Sequence, residues 1–335
     1  MSIGPEASIT DERSAPTDDA AAVRGTGDTA IAGRSLKQIA WRRLKRDKVA
    51  MGGAFVVMFL VLLAILAPVL ARIWGHPVNE FHGDQIDPTF STPIGSFGGI
   101  SKDFILGVEP SSGRDIFSRI LYGAQTTLIV AVLSALVSTV LGTLFGLAAG
   151  YLGGWVDSII SRVMDFLLAF PQLLFAIALV SVLPQSIFGV SGRWSRVLVL
   201  IGVIGFFGWP YIGRIVRGQT LSLREREFIE ASKSLGAGSR RILFRELLPN
   251  LAAPILVYTT LIIPTNILTD AALSFLGVGI PPPNPSWGGM LSDALSYYTD
   301  DPMYMIIPGV MIFVTVLAFN LFGDGLRDAL DPKAR

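Results

Sequence analysis

The sequence predicts an all-α polytopic membrane protein with six transmembrane helices, and three observations carry the prediction. Of 335 residues, 51% are hydrophobic and 16% charged, with a mean hydropathy of +0.56, too apolar for an ordinary soluble domain. Six apolar blocks occupy residues 51–73, 125–151, 159–183, 197–215, 251–278 and 305–322. Lys and Arg are unevenly distributed around them. Nine precede the first block, eight lie between Arg214 and Arg245, and three follow the last, against six in the alternate segments; Arg162 stands at the inner end of the third block. Positive charge in short loops stays on the cytoplasmic side, so both termini and the 214–245 stretch are expected inside. The location is therefore the cell (plasma or inner) membrane, crossed several times.

Several functions are excluded. The net charge of +1 decides little, because position matters more than sum in a membrane protein. No cysteine is present, which removes disulfides and thiolate metal sites, and His76 and His82 alone make no histidine cluster, so no metal site is assigned. A Gly-x-x-x-x-Gly-Lys-Ser/Thr phosphate loop is missing from the sequence, and so is the dipeptide Gly-Lys, so this chain does not cradle ATP in that way. No Ser/His/Asp or metal-His constellation sits at a plausible depth, and no catalytic residue is assigned.

In chain order, residues 1–34 are rich in Ala, Gly, Thr, Asp and Ser and are expected to be a disordered cytoplasmic tail. That tail has no apolar run of signal-peptide type, so the first membrane helix is expected to remain as an anchor. Residues 35–50 combine Leu36, Ile39, Ala40 and Leu44 with Arg42, Arg43, Lys45, Arg46 and Lys48, the pattern of a basic amphipathic helix lying along the inner lipid surface. The first span, 51–73, is roughly 35 Å long at ~1.5 Å per residue, enough for a ~30 Å hydrocarbon core. Residues 74–115 read as an external loop, 116–325 as a core with five further spans, and 326–335 as the cytoplasmic C-terminus.

Within the spans, Gly142, Gly146, Gly150, Gly153 and Gly154 suit close helix packing. Pro171 should kink the third span and Pro210 the fourth. Asp165 lies one turn from Arg162, so those two are expected to pair. Asp270 has no basic neighbour in its span, and a lone buried carboxylate is costly. It should face a water-filled pathway, a partner subunit or an environment that protonates it. Trp287 reads as an interfacial anchor or a loop-packing residue.

The stretch 224–250, REREFIEASKSLGAGSRRILFRELLPN, is the one long polar segment between apolar blocks. Phe228, Ile229, Ala231 and Leu235 recur at helical spacing, Gly236 and Gly238 interrupt the pattern through positive-φ conformations, and Ser239 can cap a second helix. That helix carries Ile242, Leu243, Leu247 and Leu248 up to Pro249, where the pattern is expected to stop.

These residues resemble the EAA loop of ABC-importer permeases: Glu230-Ala231-Ser232, three residues, Gly236, then Leu248-Pro249. Ser232 stands where alanine is usual and Glu246 where isoleucine is usual. The runs SSGRDIFSRILYGAQTTL (111–128), MDFLLAFPQLLFAIAL (164–179), LTDAALSFLGVGIPPPNPSWGGML (268–291) and GDGLRDALDP (323–332) resemble the C-type permease of the dipeptide, oligopeptide and nickel importers. Gln125 replaces a usual arginine and Asp270 a common glutamate, and the 91–113 loop is longer than usual, consistent with a different external receptor. The resemblance implies a permease subunit of an ATP-driven importer for peptides or similar small solutes. It implies docking of cytoplasmic ATPase subunits at the 221–250 loop through Glu230, Ala231, Ser232, Gly236, Leu248 and Pro249, a second homologous permease, and an external solute-binding protein. ATP and Mg would be held by the ATPase, and no cofactor by this chain.

Two other readings compete. An ion-gradient-driven secondary transporter would use Asp270 as its site, but inverted repeats are not evident. A membrane-anchored helix-turn-helix DNA binder would use Arg240, Arg241 and Arg245, but apolar blocks flank the stretch almost without linkers, so no nucleic-acid partner is expected.

Overall fold

The computed structural model describes residues 36–182, 186–187 and 189–331; the predicted tail 1–34 and the last residues of the 326–335 segment lie outside them. The chain begins with the short basic helix α1 (Leu36–Arg46), which ends at Asp47. Asp47 caps α2 (Lys48–Trp74): its Oδ1 accepts from the amides of Val49 and Ala50 at 2.9 and 3.1 Å, so the first span starts three residues before the apolar block does.

A loop then leads to Asp115, which caps α3 (Ile116–Leu152) by accepting from Phe117 N and Ser118 N. This helix is 37 residues long and includes nine residues that sequence assigned to the approach to the second span. Hydropathy misses that first stretch because it carries Arg119, yet Ile116 and Ile120 bury it.

The predicted third span is not one helix. It divides into α4 (Gly154–Ala169) and α5 (Gln172–Val182), bent by 87°. The cause is local: a residue before proline avoids the helical region, and Phe170 takes φ −80°, ψ 135° ahead of Pro171. After a two-stranded antiparallel turn, β1 (Ser186–Ile187) with β2 (Val190–Ser191), α6 (Arg193–Arg224) runs through Pro210 without ending there. Then come α7 (Glu227–Ser234), α8 (Ser239–Arg241), a π-turn (Ile242–Leu247), α9 (Leu248–Phe275), α10 (Trp287–Ala294) and α11 (Met303–Leu330). Among the described residues five helices are long and apolar enough to cross a membrane, and the bent α4–α5 pair supplies the sixth crossing or a broken span.

The most extensive helix pair is α3 with α6. It is built on a glycine ladder: a β-carbon at Gly142 would lie 2.8 Å from Trp209 O, at Gly146 2.6 Å from Gly213 O, and at Gly150 2.6 Å from Thr220 Cβ. Small residues one turn apart let the backbones touch, which is how helices associate where lipid removes the hydrophobic drive. The close-packing expectation therefore holds for these three, whereas Gly153 and Gly154 turn the chain between α3 and α4 with φ of +67° and +54°.

The bundle has two distinct ends. At one, Leu44 and Ala50 pack on Ala329, and Arg43 Nη1 donates to Asp331 O at 2.9 Å, so the N-terminal helix and the end of α11 lie together. At the other, His76 N donates to Asp115 Oδ2 at 3.1 Å and Trp287 Nε1 donates to Ile120 O at 3.1 Å. Trp287 is fully buried, so it packs the loop and does not anchor at the interface. Both termini of the described chain thus sit at the end that the Lys and Arg distribution assigns to the cytoplasm.

Candidate functional site

The 221–250 segment is a rigid corner between α6 and α9. Helix α7 ends in a paired C-cap: Gly236 takes φ +79°, its amide donates to Lys233 O at 2.9 Å, and Ala237 N donates to Ser232 O at 3.0 Å. Gly238 differs from the expectation, being extended at φ −69°, ψ 158°; it is the cap of α8, and Ser239 is a helical residue whose side chain makes no capping bond. One positive-φ glycine suffices because the two-bond C-cap has already turned the chain.

Pro249 also departs from its expected role. It does not stop the helix but sits in the first turn of α9, so residues Ser239–Phe275 form one continuous 37-residue element. Proline cannot donate to the carbonyl four residues back and its ring would strike it. The wide turn at Ile242–Leu247, where Leu248 N donates to Leu243 O, absorbs that conflict.

Ile229, Ile242, Leu247 and Leu251 are buried and hold the corner against the bundle. The predicted site residues lie on its outside: Glu230, Ala231, Gly236 and Pro249 are exposed, and Ser232 and Leu248 are half-buried. Glu246 is half-buried too. Beside Gly236, Leu235 is 88% exposed, with Phe228 and Phe244 also open. Of Phe228, Ile229, Ala231 and Leu235, which recur at helical spacing, only Ile229 is buried.

Charged contacts connect this corner to the rest of the cytoplasmic end. Arg217 on α6 grips Asp157 on α4, Arg214 pairs with Asp165 at 2.7 Å, and Arg224 Nη1 donates to Gly150 O at 3.1 Å. The predicted Arg162–Asp165 pair is therefore replaced by an interhelical one, since α6 presents Arg214 across the helix pair.

Asp270 is 0% exposed and neither carboxylate oxygen has a hydrogen-bond partner among the described residues. One turn earlier, Asn266 Nδ2 donates to Ala131 O at 3.2 Å, which fixes α9 against α3. The structure thus seats Asp270 inside the chain's own core, away from its surface.

Sequence reading missed a second cluster at the outer end. Glu109, 3% exposed, accepts from Arg114 Nε at 2.5 Å, lies 3.5 Å from Arg119 Nε, and accepts from Ser112 Oγ at 2.6 Å and from the Tyr304 hydroxyl. Burial pushes the Glu109 carboxyl up, but the Arg119 charge, the Ser112 and Tyr304 hydrogen bonds and the Arg114 charge outweigh it and hold it below its ordinary value. The one sequence signal was an arginine, Arg119, at the head of an apolar helix; its partners are distant in sequence.

Residues 142–335 match the family model described as the binding-protein-dependent transport system inner membrane component. The chain belongs to that family. Residues 35–91 of this permease also match the N-terminal transmembrane domain of oligopeptide transport permease C. It is 41% identical over 299 residues to the dipeptide transport system permease protein DppC of Alkalihalophilus pseudofirmus, covering 88% of this chain and 90% of that one. It is 43% identical over 295 residues to the glutathione transport system permease protein GsiD of Shigella flexneri and 42% identical to that of Escherichia coli, with the same coverage. Its fold is similar to a chain of the inward-facing MetNI methionine ABC transporter, with a TM-score of 0.51 at 20% identity over 64% of this chain and 98% of that one. This chain is therefore a multi-pass inner-membrane permease subunit of an ABC importer and not the ATPase; family membership implies ATPase and substrate-binding partners.

Proposed function

We propose that the 221–250 corner is where a cytoplasmic ATPase subunit docks, with Glu230 making a polar contact and Leu235 inserted into the partner's surface. The observation that carries this is the contrast within one short segment. Ile229, Ile242 and Leu247 are fully buried against α6 and α9, while the next residues present Glu230 and an 88% exposed Leu235 to solvent. An apolar side chain displayed on a rigid, glycine-turned corner is what a protein interface needs at its centre.

In this reading ATP and Mg2+ are bound by the ATPase, and this chain's residues hold neither. Closure of the ATPases moves the corner as a rigid body, and the continuous helix from Ser239 to Phe275 carries that motion into the membrane. Moving such an equilibrium from 1:99 to 99:1 requires about 5.5 kcal/mol of differential binding, so the docking contact must be firm. A second related permease completes the pathway, and an external solute-binding protein delivers a peptide or similar small solute, as the names of the dipeptide and glutathione relatives suggest.

The test is co-purification from detergent-solubilised membranes with ATPase activity measured on the eluate, wild type against Glu230→Lys and Leu235→Asp. Wild type should bring down an ATP-hydrolysing subunit and the variants should lose it while keeping their thermal midpoint. Retention of the ATPase by both variants would place the docking surface elsewhere.

A further inference from the structure

A cavity of about 180 Å3 opens at the outer end of the bundle, where the first turns of α3 and α6, the last turn of α9 and the start of α10 converge. It is lined by Arg119, Arg196, Ser274, Asn284 and Asp293 among others. Two features distinguish it from a packing gap. Ser274 is 4% exposed and its hydroxyl has no hydrogen-bond partner among the described residues; Arg119 is a buried charge, with its Nε 3.5 Å from Glu109 Oε1 and its Nη1 donating to Pro283 O at 3.1 Å. A buried hydroxyl is costly to leave unpaired, and a ligand that satisfies it recovers that cost.

The charge balance indicates the ligand's sign. Glu109 is shared between Arg114 and Arg119, so one carboxylate serves two guanidinium groups. Arg196 donates to the Val180 carbonyl at 2.7 Å and forms no ion pair among the described residues. Asp293 stands at the open rim, where partial burial, then the charge of Glu109, hold its carboxyl above the ordinary range. The cavity therefore has an excess of positive charge inside and a carboxyl at its mouth. That favours a group with one negative charge and opposes a second.

We infer that this cavity binds the terminal carboxylate of a small solute entering from the outside, with Arg196 and Arg119 as donors and the Ser274 hydroxyl completing the set. Its size is below the roughly 300–1,000 Å3 of sites that enclose a drug-sized molecule, so it holds one terminus and not a whole peptide. Guanidinium donors suit a carboxylate because their fork matches its two oxygens. The inference rests on the importer reading above and names the end of the solute that this subunit grips.

The experiment is equilibrium binding of radiolabelled diglycine to the full chain, co-purified with its transporter partners in nanodiscs without nucleotide and without the external binding protein. Diglycinamide, which lacks the carboxylate, and inorganic phosphate serve as competitors. Diglycine should bind, diglycinamide should fail to displace it, Arg196→Gln should weaken it about tenfold with partial recovery in Arg196→Lys, and Ser274→Ala should weaken it less. Thermal midpoints of the variants report whether they fold. Equal competition by diglycinamide, phosphate binding with no diglycine binding, an unchanged affinity in a folded Arg196→Gln, or no diglycine binding at all would each overturn the assignment. Because the assay omits ATP, a complex that carries active ATPase but binds no diglycine defeats the cavity and leaves the docking corner standing.

Discussion

Arg217 on α6 grips Asp157 on α4 through two parallel hydrogen bonds, Nε to Oδ1 at 2.5 Å and Nη2 to Oδ2 at 2.7 Å. The pair lies two helical turns from the point where α6 hands over to the 221–250 corner, so it couples the corner's entry helix to the bent α4–α5 element. Because both side chains are only partly buried, its contribution to stability should be modest, roughly 1 kcal/mol. A double-mutant cycle with Arg217→Ala and Asp157→Ala should return a coupling of that size in denaturant unfolding. Transport should fall further than stability does, because ATP hydrolysis continues while the motion is no longer transmitted; unchanged transport per ATP would remove this pair from the coupling route.

Gly146 and Gly218 should respond oppositely to alanine. A β-carbon at Gly146 would lie 2.6 Å from Gly213 O, a backbone atom that cannot swing aside, whereas nothing lies within 4 Å of one at Gly218. Gly146→Ala is expected to cost about 1–3 kcal/mol by forcing α3 from α6. Gly218→Ala should be neutral or stabilise by up to about 1 kcal/mol through helix propensity. Unfolding in mixed detergent micelles measures both.

Gly236→Ala should loosen the proposed docking corner, since the left-handed conformation costs a residue with a β-carbon about 1–2 kcal/mol, and asparagine should be tolerated better. Gly238, extended at φ −69°, should accept alanine. The measurement is the fraction of ATPase retained on co-purification, with the order wild type and Gly238→Ala first, Gly236→Asn next, Gly236→Ala last.

Glu109 predicts an acid limb in stability. Its folded carboxyl titrates below the ordinary value of 4.5, so its contribution is fully present above that pH and is lost as pH falls through the lower folded value. Thermal midpoints of the wild type should therefore drop below about pH 4.5. Glu109→Gln leaves Arg114 and Arg119 without their carboxylate and should cost about 3–5 kcal/mol at neutral pH, while flattening the acid limb. An acid limb of equal depth in the variant would assign it to other groups.

Asp270→Asn separates an ATP-driven pathway from a gradient-driven one. The carboxyl is sealed in the core with no partner among the described residues, and the amide has nearly the same shape, so uptake should persist. Loss of uptake in a folded variant, together with sensitivity to an ion gradient, would bring Asp270 back as a transport site.

Much of the fold could be read from the chain because its signals are local. The apolar blocks 51–73, 125–151, 197–215 and 305–322 lie within helices that begin at Lys48, Ile116, Arg193 and Met303, and the block 251–278 overruns the end of α9 by three residues. The break at Pro171 follows from proline and its preceding residue alone. The corner at Gly236 was legible for the same reason, since a glycine closing a short amphipathic helix specifies its own turn. Gly238 and Ser239 were misassigned because either glycine could have supplied the turn, and the hydrogen bonds of Gly236 and Ala237 settled which did.

Sequence alone determined that this is a multi-span membrane protein and where five of its six spans fall, because hydropathy and charge bias act over a few neighbours, while its motifs carried the resemblance to the importer permeases. The folded chain was needed to decide who meets whom. Tyr304 reaches Glu109 across 195 positions, Arg214 displaces Arg162 as the partner of Asp165, and Arg196 and Ser274 come to line one cavity from different helices. Those contacts depend on helix packing, here set by glycines that let α3 and α6 touch along their backbones.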